Sequence, residues 1–203
     1  MSSSNIFELR KNCHLILMIT SPLYIILSFI PSLDRYFFVF QLILFVQALT
    51  LIAQAIAGFV RLREPRELLR VFLALFISIA SLCVGGISNA VLINNIPAWL
   101  YIYYFAGYLP AFVVIMMMSR VYSYKKPVKT TVNILAVLGI ICCFEYFFTV
   151  ASYNKYIESV PAFIIENFTI LNIAAVEIIS QICILALTVP LFCSRDKNSI
   201  SEY

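Results

Sequence analysis

From Val71 to Ser119 the chain carries no Asp, Glu, Lys or Arg. A soluble helix keeps a polar face toward water, so an uncharged run of this length fits two helices crossing a hydrocarbon layer about 30 Å thick. The remainder is of the same kind. Of 203 residues, 63% are apolar and 12% charged, outside the range of soluble globular domains. Apolar runs bounded by charge, proline or polar clusters predict helices at 13–30, 37–60, 71–93, 98–119, 131–152 and 168–192. The expected fold is all-α, a polytopic membrane bundle of six transmembrane helices at 13–193, with tails at 1–12 and 194–203. Residues 162–193 are long for one perpendicular crossing, so the first turns of the last helix are expected at or beyond the outer interface.

Charge sets the expected orientation. Twelve Lys and Arg residues fall on one side of the six segments and two, Arg35 and Lys155, on the other. Basic residues collect on the cytoplasmic side of a membrane, so both termini are expected in the cytoplasm of a cell-membrane protein. Five or seven crossings would put neighbouring basic clusters on opposite faces and destroy the asymmetry. Trp99, Tyr101, Tyr103 and Tyr104 at one boundary and Tyr122 and Tyr124 at the other match interfacial aromatic belts. Arg61, Arg63, Arg66, Arg70, Lys125, Lys126 and Lys129 read as anchors on an anionic leaflet, or as a docking site for acidic lipid or a partner. They form short loop clusters and no continuous patch, so nucleic acid is not an expected partner. Pro65 suits a first helical turn, and Glu64 and Glu67 suit the positive end of the third helix.

Arg10 and Lys11 before an apolar run resemble a signal peptide, but the run to Ile30 is long and lacks an A-x-A site, so a retained first helix is expected. Six cysteines lie in or beside apolar segments with no CxxC pair, which fits small buried apolar side chains.

Carboxylates inside hydrocarbon cost several kcal/mol and mark interior sites. Glu145 and Glu177 each fall about three residues from the middle of their segments, on the outer side, and so share a depth. Cys142, Glu145, Thr149 and Ser152 recur at helical spacing, as do Glu177, Gln181 and Thr188. Gln47, Thr50 and Gln54 stripe the second helix; Ala74, Ser78, Ser81, Gly85, Ser88 and Asn89 the third; Tyr101, Tyr104 and Tyr108 the fourth. All these faces are expected to look inward. Glu145, Glu177, Gln181, Gln47, Asn89 and Tyr108 then line a cavity for a cation, a proton or a small polar solute, the two carboxylates sharing a proton. Alternatively the same groups only bond one another and hold the helices together.

Glu166 is expected at the outer interface, and Asn167-Phe168-Thr169 is a formal glycosylation sequon. His14, the one histidine, is expected as an interfacial residue. No P-loop, GxSxG, GxGxxG or HExxH occurs, and no lysine lies inside a segment, so neither enzymatic activity, a cofactor nor a metal site is indicated. The function expected is binding or transport of a small solute or cation, proton-linked. The alternatives are a receptor or sensory module signalling through a partner chain and a ligand-free assembly subunit. Besides the lipid bilayer, expected partners are a second copy of the chain or another membrane subunit.

Overall fold

The computed structural model describes residues 3–30, 37–62, 65–92, 98–122, 124–156 and 162–193, with side chains at 8–30, 38–60, 65–82, 107–122, 124–145 and 174–190. These residues form six helices and no strand: α1 Ser3–Ser28, α2 Phe37–Leu62, α3 Leu68–Leu92, α4 Ala98–Val121, α5 Lys126–Tyr156 and α6 Ala162–Cys193. A short 3-10 turn, Pro65–Glu67, leads into α3. The helices are longer than the apolar runs alone predict. α1 begins at Ser3, within the expected tail, and α5 begins at Lys126, because polar residues extend an established helix at little cost even where hydropathy falls. The tail at 194–203 lies outside the described residues.

Among the described residues, three helices are long and apolar enough to cross a membrane, along Glu8–Ser28, Phe38–Val60 and Lys126–Glu145. Within the described parts of α4 and α6, Gly107–Val121 and Ala174–Pro190 are also apolar. The outside of the bundle is apolar: Phe29 is 70% exposed, Phe38 65%, Ile26 60% and Ile56 58%. Conversely, Arg10, His14, Gln47, Gln54, Glu67, Arg70 and Gln181 are buried. Burying charge while exposing phenylalanine is unfavourable in water and favourable in lipid.

Each helix packs on its neighbours in the chain, and α6 returns to α1, closing a ring. Contacts between α4 and α6 cross the ring and leave α5 at its edge, resting on those two helices. Contacts between segments define a base, where α1 and α3 begin and α4 and α6 end: Arg10 meets Glu67, Tyr122 meets Arg66, and Tyr124 meets Leu187. Above it Leu17, Leu44, Leu73, Phe112 and Ile115 form the apolar core.

Glycine sets the closest approaches. A Cβ at Gly107 would stand 3.4 Å from the Ala80 backbone nitrogen, so α3 and α4 are almost in backbone contact. At Gly139 it would run into the fully buried Phe112 ring, so α5 seats on α4 through that one missing side chain. Gly139→Ala is expected to lower stability by about 1–3 kcal/mol, because the ring must leave its packed position. Unfolding in mixed micelles checks this, and Phe112→Leu in the same chain is expected to recover part of the loss.

Candidate functional site

Two polar layers cross the interior. The first is at the base. Glu67 has no exposed side-chain surface, and its carboxylate is bound by Arg10, at 3.3 Å, and by Arg70. The 3-10 turn delivers Glu67 and α3 presents Arg70 one turn later, while Arg10 arrives from α1. Gly58 of α2 makes room, since a Cβ there would collide with the carboxylate. Arg66 and Arg70 also lie over the Tyr122 ring, 5.6 and 4.7 Å from its centroid, where a guanidinium is drawn to the negative π face. The Tyr122 hydroxyl donates to the Arg66 carbonyl at 3.4 Å. Burial pushes its pKa up to about 12, so it remains a donor across the physiological range. Deeper in, Gln54 Nε2 lies 3.1 Å from His14 Nδ1. An amide N–H can only donate, so Nδ1 accepts and the ring proton resides on Nε2.

The second layer lies about two turns farther from the base. Gln47 of α2 donates to Gln181 Oε1 of α6 at 2.7 Å, and Gln181 donates back to Gln47 Oε1 at 3.1 Å. Gln47 also reaches Ser21 at 3.2 Å and Thr20 at 3.3 Å on α1. One turn beyond, the wholly buried Tyr24 faces Glu177 and Tyr108. Its ring is held edge-on by Phe40, centroids 5.1 Å apart.

Of the residues expected to form the site, Gln47, Gln181, Tyr108 and Glu177 therefore belong to one layer, with Tyr24, Ser21 and Thr20 added. Asn89 lies on α3 at a position outside the described side chains, as do Glu166, Asn167 and Thr169 on α6. Glu145 does not face inward: it is on the exposed side of α5, beside the half-buried Cys142. The reason is helical geometry. Val132, Ala136, Gly139 and Cys143 form the buried stripe of α5 at spacings of 4, 3 and 4. Glu145, two residues past Cys143, projects about 200° away from that stripe. Small residues, not polar ones, mark the seat of this helix.

The residues of the expected basic anchor stand in different surroundings. Lys125 and Lys126 are exposed and Lys129 half-buried, but Arg70 is buried on Glu67 and Arg66 is half-buried against Tyr122. The side chains of Arg61 and Arg63 lie outside the described residues. His14, expected at an interface, is 4% exposed and paired with Gln54. A usable signal was present in the sequence, since Arg10, His14, Leu17, Ser21 and Tyr24 recur at one-turn spacing along a single face of α1.

These features define a class: a helical bundle with an apolar exterior and two polar layers in its interior. Comparison with family models, with curated proteins and with solved structures finds no match. Glu67→Gln is expected to destabilise the protein by about 3–5 kcal/mol, because guanidinium groups gathered around one carboxylate lose it. Lys126→Gln, at an exposed site, is expected to change stability by less than about 1 kcal/mol, and thermal unfolding in detergent distinguishes the two.

Proposed function

We propose that all six helices cross a cell membrane with both termini in the cytoplasm, and that the layer around Glu177 binds or passes a proton, a small cation or a small polar solute. The apolar exterior supports the first part. So does the charge distribution, with Arg10, Arg66, Arg70 and Lys125 to Lys129 at the base and only Arg35 and Lys155 assigned to the other side. In a chain whose native cysteines are replaced, Lys155→Cys is expected to react with an impermeant maleimide on intact cells. Lys126→Cys is expected to react only after permeabilisation; labelling of Lys126→Cys from outside would refute the orientation.

One observation carries the functional reading: a carboxylic acid, Glu177, faces a wholly buried tyrosine hydroxyl inside an apolar bundle. No Lys or Arg occurs between Lys155 and Arg195, so α6 brings no cation of its own to this depth. A carboxylate held in hydrocarbon is stabilised by taking up a proton or a cation, which makes Glu177 a charge that can be switched. Tyr24 and Tyr108 orient it. The Gln47–Gln181 pair below supplies donors and acceptors from two helices that a bound solute can engage.

Purified protein in liposomes containing a pH-sensitive dye tests the reading, with a potassium gradient imposing the potential. Proton, sodium or potassium flux that depends on pH is expected, with Glu177→Gln reducing it at least about tenfold and Glu145→Gln leaving it unchanged. The closed amide pair favours a second reading, a ligand-free assembly subunit, because both amides already satisfy one another. That reading predicts no flux from any variant, with Gln181→Leu altering stability alone, by about 1–3 kcal/mol.

A further inference from the structure

Between α2 and α3 a groove of about 330 Å³ opens on the outside of the bundle, a volume at the small end of the range for small-molecule sites. Its walls are Phe38, Leu42 and Phe45 of α2 and Leu82 of α3, all between 51% and 70% exposed. Its floor is polar and consists of Gln41, Ser78 and Ser81. Gln41 precedes Gln47 by six residues, which turns it about 120° away from the inward stripe of α2.

The hydrogen bonds of this floor determine what it can offer a guest. The Ser81 hydroxyl donates to the Gln41 backbone carbonyl at 3.0 Å and so joins the two helices beneath the groove. The Ser78 hydroxyl donates to the Ala74 carbonyl at 2.8 Å. Both hydroxyl protons are therefore used within the protein, and the serine oxygens can serve a guest only as acceptors. Among the described residues no group bonds the half-buried Gln41 side-chain amide, which offers a carbonyl oxygen and an NH2 group. An amide left without a partner in apolar surroundings is unfavourable, so a guest that bonds it gains more here than it would in water.

No residue lining the groove is ionisable, so a charged headgroup finds no counter-charge there. Ester and ketone oxygens only accept, and they would leave the acceptors of the floor unused. A hydroxyl group does both: it donates to Gln41 Oε1 or to a serine oxygen and accepts from Gln41 Nε2. The apolar walls suit a guest whose remaining body is hydrocarbon.

We propose that the groove between α2 and α3 binds an uncharged lipid alcohol from the surrounding membrane, with its hydroxyl on Gln41 and its apolar body between Phe38, Phe45 and Leu82. The proposal rests on the reading that α2 and α3 cross the membrane, and it is independent of the role of Glu177. In that orientation Gln41 lies about 6 Å inside the outer end of α2, where lipid hydroxyls meet the hydrocarbon.

The full chain in phosphatidylcholine liposomes is photolabelled with a diazirine-bearing hexadecanol, and the labelled positions are mapped by mass spectrometry. Labelling is expected at the groove residues. Hexadecanol is expected to compete at least about fivefold better than hexadecyl methyl ether, which lacks the donated proton. Gln41→Leu is expected to fold, since the amide bonds nothing described in the protein, and to abolish that preference. Leu82→Trp, which fills the groove, is expected to lose labelling there and to keep labelling at Leu49 and Ile56 on the exposed face of α2. Equal competition by alcohol and ether would overturn the proposal, as would a preference undiminished in Gln41→Leu. A disulfide formed between two copies through Leu82→Cys that blocks labelling would also overturn it, making the groove an interface between copies. Labelling at Leu49 and Ile56 without labelling in the groove overturns this proposal alone, whereas labelling at none of these positions overturns the membrane reading with it. The wild-type comparison of alcohol with ether decides the matter even where a variant fails to fold.

Discussion

Glu67 sits in the turn before α3, fully buried, and draws Arg10 of α1 and Arg70 of α3 onto its carboxylate beneath the bare backbone of Gly58 in α2. Three helices thus meet at one negative charge. An isolated carboxylate at this depth would be strongly unfavourable, and so would the arginines without it, so each charge is tolerated only because the others are present. This dependence fixes the register of the base. Sliding α1 by one turn would withdraw Arg10 from Glu67, and His14 would lose Gln54 in the same step. Apolar packing offers no comparable discrimination, because it is not directional.

Higher in the bundle, register is held by hydrogen bonds without charge. The Gln47–Gln181 pair links α2 to α6, and Ser21 and Thr20 add α1 to the same node. Neutral groups exact a smaller desolvation cost than ions, so this layer can rearrange more readily than the base. It is also where Glu177 and Tyr24 stand. The protein therefore combines a rigid ionic foot with a softer polar layer that contains its one half-buried carboxyl among the described side chains of α6.

How far this was legible from the residues follows from the range of each interaction. The existence of six helices is local information, because each follows from an apolar run between charges. Helix ends are less local: Ser3 to Lys11 is polar, yet it extends α1 because the helix has already formed beyond it. Gln47, Gln181, Tyr108 and Glu177 were legible because depth and helical spacing both point inward. Glu145 satisfied the same two criteria and still faces out, because the seat of α5 is decided by Gly139 against Phe112, a contact between different helices. Arg70 looked like any cytoplasmic arginine. Its burial depends on Glu67 and on Arg10, 57 residues from Glu67 in sequence, and such a pairing leaves no periodic trace.

The polar groups of α1, α2 and α6 lie along shared faces, yet they do not form a continuous wire. His14, Gln54 and Thr188 belong to the base side, Ser21, Gln47 and Gln181 to the upper layer, and Leu17, Leu51 and Ile184 fill the turn between. All three of these apolar side chains are buried, so among the described side chains an apolar turn separates the two polar groups. On the proposed role of Glu177, a charge change there can reach the base by moving helices against one another. α1 and α6 are suited to that transmission: each carries residues of both layers, and the two helices pack together. Pro22 and Pro190 remove one backbone hydrogen bond each, so these same two helices also have positions at which they bend with less resistance. On that reading the apolar turn between the layers favours a mechanical response to a change at Glu177 over a proton relay.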